Sequence, residues 1–288
     1  MLAGSEALQD FRFFPYDGVL PSECSPGREL SVRRDAYWSY CGPMLPASPD
    51  RLPDNLYEWE IAALSGSIVP LLLPLLSFVN DFIAKQGLDN YWITLRATTA
   101  TLEYDKARWH TDDMFFSSRK GDEKRSWGLG TVAGKRQLDL KTDWKICATL
   151  LGPSTLFIPT QHQQLARKRQ KLAKKRGSVE HSCTSIRCIG CATAADAVRD
   201  DLAAGLAEFG AAQAKTGECA VFRIGARNGA VHSEPSMSHG GRVFVNIVPG
   251  KKEELSSLLS RWAMEFPRSW WISPSVTGSR DHNVRVND

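Results

Sequence analysis

The chain is predicted to be mainly β with flanking helices, and three observations carry that expectation. Short runs rich in β-branched, aromatic and apolar residues recur between glycine and proline turns. They include Tyr91-Trp92-Ile93-Thr94-Leu95, Trp144-Lys145-Ile146-Cys147-Ala148-Thr149-Leu150-Leu151, Cys219-Ala220-Val221-Phe222 and Arg242-Val243-Phe244-Val245-Asn246-Ile247-Val248, and such composition reads as strand. Apolar residues at helical spacing are confined to segments outside these runs. The 288 residues, 42% of them apolar, suit one large domain with additions.

Residues 1–55 are rich in proline, glycine and aromatics without a sustained period, and read as an N-terminal arm. Phe11, Phe13, Phe14 and Tyr16 are expected to pack it onto the sheets. Tyr37-Trp38-Ser39-Tyr40 either packs in the same way or lines a substrate pocket. Residues 56–87 read as bracing helices, with Asp54 or Asn55 as cap, Tyr57, Ile61 and Leu64 at helical spacing, and a break at Gly66. A second helix spans about 69–86 and stops at Gly87.

The strand from Tyr91 carries Arg96, which makes either a rim ion pair or an inward contact for an acidic group. The strand core is expected over 90–160 and 215–250. A polar loop at about 117–141 separates its parts and is a natural place for substrate contacts. Residues 161–214 read as an insertion. It opens on a basic run with seven cations among residues 167–176, and its closing helix, about 194–214, has Val198, Leu202, Leu206 and Phe209 in register. After a turn at Asn228-Gly229 come strands bearing His232 and Arg242. A helix at 251–266 and a polar tail complete the chain.

Net charge is +4, most of it from the basic run. That run reads as a solvated helix face, with nucleic-acid binding or nuclear import as alternatives. It lacks the interleaved aromatics of a single-strand binder. The N-terminus shows no secretory signal, and the apolar run at 68–79 contains Pro70 and Pro74 and is too short for a membrane span. Seven scattered cysteines suggest free thiols in a reducing compartment, so a cytoplasmic protein is expected. His181, Cys183, Cys188 and Cys191 include one C-x-x-C spacing usable for a zinc knuckle, without a matching second pair.

The chemistry centres on Arg108-Trp109-His110-Thr111-Asp112-Asp113. His110 and Asp112 are two apart at a strand end, so they share a face. An imidazole and a carboxylate there can take adjacent corners of a metal's coordination sphere, and a second histidine completes the set used by iron(II) oxygenases. His232 fits that place. Taken alone, an H-x-D pair is most often a solvated strand end. Two rivals remain nearby: Glu234, in His232-Ser233-Glu234, and His239 could supply ligands to a metal-dependent barrel that uses no co-substrate.

The order H-x-D, distant His, then Arg242 ten residues later resembles the iron(II)/2-oxoglutarate-dependent dioxygenases. Gly152-Pro153-Ser154-Thr155-Leu156-Phe157-Ile158-Pro159 is similar to a mid-barrel turn of the phytanoyl-hydroxylase-like members. Gly217-Glu218-Cys219-Ala220-Val221-Phe222 is similar to the strand before their distal histidine, with Glu218 in place of the usual aspartate. The resemblance implies a double-stranded β-helix, that is, a jelly-roll, cupin-like core. It implies Fe(II) on His110, Asp112 and His232, with dioxygen as oxidant. The co-substrate 2-oxoglutarate would have its distal carboxylate on Arg242, helped by Thr155 or Thr149 and with Asn246 on the same face. It further implies oxidation of a substrate C–H, by hydroxylation, desaturation or ring closure, with release of succinate and CO2. A small organic molecule is the expected substrate, and a side chain on a protein or nucleic acid the second. A non-enzymatic barrel binding nucleic acid or protein through the basic run is the alternative from another class.

Overall fold

The computed structural model describes residues 10–16, 30–102, 105–116, 144–176 and 189–273, with the side chains of 189–192 left aside. The 117–141 loop and the His181, Cys183 and Cys188 patch, together with the Cys191 side chain, lie outside these residues.

The described chain builds a seven-stranded antiparallel sheet, two small sheets and five α-helices. The strands are β1 (Phe11–Pro15), β2 (Ser31–Val32), β3 (Ala36–Pro43), β4 (Leu64–Ser65), β5 (Asn90–Thr98), β6 (Trp144–Leu151), β7 (Leu156–Phe157), β8 (Ala212–Gln213), β9 (Glu218–Arg223), β10 (His232–Ser233), β11 (Arg242–Gly250) and β12 (Arg268–Ile272). The large sheet runs β1-β9-β6-β11-β5-β3-β12, and β10-β7-β8 forms a three-stranded sheet. The helices are α1 (Asp54–Ala63), α2 (Val69–Ala84), α3 (Gln163–Arg176), α4 (Ile189–Leu206) and α5 (Lys252–Ser260).

Period-two alternation divides the large sheet into two unlike faces. Trp38, Ile93, Leu95, Ile146, Val243, Val245 and Ile247 point one way into the main core with α1 and α2. On α2 the residues Val69, Leu72, Leu75, Leu76, Val79 and Ile83 are buried at helical spacing, which is why this apolar segment lies on the sheet. Pro70 falls at the helix start, where its missing N–H costs nothing. Lys145, Cys147, Thr149, Arg242, Phe244 and Asn246 alternate with these core residues, and so share the opposite, inner face.

The N-terminal 55 residues, read from sequence as an arm, contribute three strands, and β3 sits between β5 and β12. The pleat sends Tyr37-Trp38-Ser39-Tyr40 to two faces, and Ser39 is fully buried. Trp38 is in the core with Tyr40 packed against it, while Tyr37 and Ser39 lie on the inner face. The segment 267–273, read as tail, is β12 paired along β3. Neither Asp54 nor Asn55 caps α1: Pro53 is the N-cap residue and makes no side-chain cap bond. The Asn55 carboxamide instead accepts from Trp38 Nε1 at 2.9 Å and Ser269 Oγ at 2.5 Å, tying α1 to β3 and β12. The helix expected over 194–214 runs earlier, and Gly210 in a positive-φ conformation precedes β8. The turn expected at Asn228-Gly229 lies earlier, from Gly225 to Gly229, closed by Gly229 N–H on Gly225 O at 2.7 Å. No helix among the described residues is long and apolar enough to cross a membrane.

Candidate metal centre

His110 and His232 are 122 positions apart (232 − 110) and meet as an isolated antiparallel bridge. Each backbone N–H donates to the other residue's carbonyl at 2.9 Å. Their rings project to one side, with centroids 4.4 Å apart. Asp112, two residues past His110, returns to the same side as the period of two requires. Its backbone is fixed as well, since Gly225 N–H donates to the Asp112 carbonyl at 2.7 Å.

Each imidazole is oriented through Nδ1. That of His110 lies 2.7 Å from the Arg108 carbonyl and that of His232 lies 2.9 Å from the Ala230 carbonyl. Both Nδ1 atoms are therefore donors, which leaves Nε2 with its lone pair. Both Nε2 atoms lie 3.6 Å from Asp112 Oδ1, and the three ligand atoms are within 4.8 Å of one another. A first-row cation about 2.0–2.2 Å from each donor needs donor separations of about 3–3.6 Å, so the set fits a metal ion. The protonation states of His232 and Asp112 also suit one. Burial, with the neighbouring His110 and Lys145 charges, pushes His232 down to about 4 against the pull of Asp112. Burial opposes ionisation of Asp112, but its neighbours His110, Lys145 and His232 outweigh it and hold its carboxyl well below the usual range. Burial also pulls His110 down, yet Asp112, Glu234 and the Arg108 carbonyl leave it above its ordinary value. A carboxylate and a neutral imidazole are the forms that ligate.

Compared with family models and with curated proteins, the chain matches none.

Arg242 opens β11 and is 4% exposed. Its Nη2 donates to Thr155 Oγ1 at 3.0 Å and Thr149 Oγ1 at 3.4 Å, and its guanidinium lies 4.3 Å from the Phe244 ring centre. The turn after β6 makes this possible. Gly152 has φ +83, and a Cβ there would stand 2.6 Å from the Gly241 carbonyl oxygen, so only glycine lets the two backbones close and bring Thr155 against Arg242. The resemblance set Thr155 or Thr149 beside Arg242, and in the fold both threonines accept from its guanidinium. Asn246 lies on the same face, but its side-chain oxygen is buried without a hydrogen-bond partner among the described residues. Arg96 pairs across from Phe244 and Tyr37 and is exposed on the inner face, with no ion pair among the described residues.

The rival ligands fare differently. Glu234 and His239 do not enter the cluster of potential metal-binding groups found among the described residues. Glu234 acts on His110 through its charge, and His239 is exposed.

Two residues escaped the sequence reading. Lys145, 9% exposed, points from β6 at Asp112 and pairs with its Oδ2. Its signal was a lone lysine in an apolar strand, since a buried ammonium needs a counter-charge. Gln163, fully buried at the start of α3, behaves like an added strand residue. Its Oε1 accepts from Val231 N–H at 2.7 Å, and its Nε2 donates to the Ile158 carbonyl at 2.6 Å and the Val231 carbonyl at 3.1 Å. It thus braces the residue preceding His232. The basic run beyond it is partly consumed at home: Arg167 pairs with Asp10, Arg169 with Glu208 and Arg176 with Asp201.

Proposed function

We propose that this protein is a non-haem iron(II)- and 2-oxoglutarate-dependent oxygenase built on a double-stranded β-helix. The observation that carries the reading is the donor set itself: two imidazole Nε2 atoms, each oriented through Nδ1, at 3.6 Å from one aspartate oxygen. Three protein ligands leave room in a six-coordinate sphere for a two-point co-substrate and dioxygen. The chain path supports the barrel. From β5 it passes to the His110 bridge, β6, β7 with β8, β9, β10 and β11, moving between the large sheet and the small one. That alternation is what two facing sheets of one jelly roll require.

His110, Asp112 and His232 would hold the iron. Iron(II) with 2-oxoglutarate and dioxygen would supply oxidation of a substrate C–H bond, with succinate and CO2 released. Arg242, set between Thr149 and Thr155 on the inner face, offers a planar fork to the far carboxylate of the co-substrate. Phe157, Phe222 and Phe244 supply apolar walls; the ring centres of Phe157 and Phe222 are 5.6 and 5.0 Å from that of His232. Such walls exclude water from the reacting side. The substrate expected is a small organic molecule.

The test is anaerobic loading of the metal-free protein with iron(II) and 2-oxoglutarate, read by the weak visible metal-to-ligand charge-transfer band. The band is expected in the wild type and absent in His232→Ala and Arg242→Ala. Iron bound without a band would replace the proposal with a metal-dependent barrel that uses no 2-oxoglutarate. No iron bound would leave a binding module, with the exposed Lys168, Lys171 and Lys174 of α3 as its contact face.

A further inference from the structure

We propose that Lys145 is a positioning residue of the metal centre, which holds Asp112 as a one-oxygen ligand and makes the open side of the centre selective for a dianionic chelating ligand such as oxalate or a 2-oxo diacid. This rests on the metal centre of the reading above, and not on 2-oxoglutarate being the co-substrate.

The two oxygens of Asp112 have different neighbours. Oδ1 faces both imidazoles at 3.6 Å, while Oδ2 is engaged by the Lys145 ammonium. A cation chelated by both oxygens would have to take Oδ2 from Lys145, whereas one bound through Oδ1 alone leaves the ion pair intact. The lysine is held in place from several sides. Its strand neighbours Trp144 and Ile146 point into the main core, and its ammonium lies 5.2 Å from the centre of the Phe222 ring. Lys145 faces Phe222 across β6 and β9, so ring and ammonium are fixed by sheet register. An ammonium withdrawn from water in this way is stabilised only by a partner, and Asp112 is that partner.

Charge follows from the same arrangement. A divalent cation, one carboxylate and Lys145 sum to +2 (2 − 1 + 1), with both histidines neutral. A dianion taking the open positions offsets this charge, whereas a neutral chelator leaves it uncompensated beside the buried Lys145. Cys147, two residues further along β6 on the same face, lies in the fields of Lys145, Arg242 and Asp112 together. The two cations therefore bracket a single strip of the inner face, one at the metal end and one at the Thr149–Thr155 end.

Lys145 thus acts in opposite directions on the two binding events: its charge repels the bare metal and attracts the anion. The experiment measures Mn(II) binding to the metal-free full-length protein by calorimetry, and then oxalate binding to the Mn(II)-loaded protein. Lys145→Met is expected to bind Mn(II) several-fold more tightly and oxalate about tenfold more weakly. Lys145→Arg, which keeps the charge, should restore oxalate binding to within about threefold of wild type. Lys145→Gln, which keeps a donor without the charge, should show the Lys145→Met loss of oxalate binding and serves if the methionine variant does not fold. Mn(II) and oxalate affinities that fall together, or that both stay unchanged, would overturn the proposal, because packing alone predicts no opposite movement. Lysine-dependent oxalate binding without a 2-oxoglutarate band would leave this proposal standing and remove the co-substrate reading. A wild type that binds no Mn(II) would remove both.

Discussion

His110 and His232 form a hydrogen-bonded antiparallel pair whose backbones exchange two 2.9 Å bonds while their Nδ1 atoms are held by the carbonyls of Arg108 and Ala230. Backbone and side chain are fixed by different contacts, so the rings are oriented before any ligand arrives. The pair also lies at the margin of the small sheet, where β10 and β7 share only two residue pairs. A short ladder of this kind adds little stability by itself.

A metal on this pair should therefore clip the sheet. A cation that binds only the folded form adds about 2.7 kcal/mol at one hundred times its dissociation constant, or about 5–10 °C in Tm for a domain of this size. Thermal melts with Mn(II) and with a chelator should differ by that amount. The difference should vanish in His232→Ala and Asp112→Asn. A shift that survives in both variants would place the metal elsewhere on the chain.

Gln163→Ala tests the brace behind His232. Removing the carboxamide leaves the Val231 N–H without its acceptor at 2.7 Å, and the Ile158 carbonyl loses its donor at 2.6 Å. A buried polar group left unmade costs about 1–3 kcal/mol. Urea denaturation should show a loss of that size, and Mn(II) should bind more weakly because the strand carrying His232 is no longer held. A loss below about 0.5 kcal/mol would mean that other contacts position Val231.

How much of this was legible in the chain depends on how local each signal is. His110 and Asp112 share a face because a strand alternates every two residues, and no tertiary knowledge is needed. Arg242, Phe244 and Asn246 alternate with Val243, Val245 and Ile247, so the strand and its core face were readable, although only the resemblance, and not the strand pattern, set Thr149 or Thr155 beside Arg242. The strand β3 escaped because Trp38 and Cys41 are both fully buried on opposite faces, one under α1 and α2 and the other under α5. A strand covered on both sides loses the alternation that would reveal it.

The buried face of α3 was hidden for another reason. The buried residues of α3 are Gln163, Ala166, Gln170 and Ala173, which recur at helical spacing but are polar or small. A hydrophobic pattern cannot find such a face, and the basic residues beside it drew attention to solvent. Lys145 was missed because its meaning lies in Asp112, 33 residues away (145 − 112), and only the fold supplies that pairing. Asn55 is similar: its short polar side chain at a helix start reads as a cap, yet it is used by the Trp38 and Ser269 side chains.

Gly225→Ala tests whether the Asp112 backbone anchor controls the metal centre. Gly225 has φ +97, and its N–H donates to the Asp112 carbonyl at 2.7 Å. An added Cβ would stand 2.7 Å from Met114 Sδ and 3.2 Å from its Cγ. The thioether is flexible and can move aside, whereas a positive φ remains unfavourable for alanine at about 1–3 kcal/mol. Relieving it means rotating the peptide that carries the Gly225 N–H, which releases Asp112. Gly225→Ala is therefore expected to lower stability by that amount and to weaken Mn(II) binding. The double variant Gly225→Ala, Met114→Ala separates the two causes, because it removes the side-chain clash and leaves the backbone strain. Metal binding should stay weak in the double variant. Recovery to the level of Met114→Ala alone would show that the thioether contact, and not the Gly225 backbone, holds Asp112 in place.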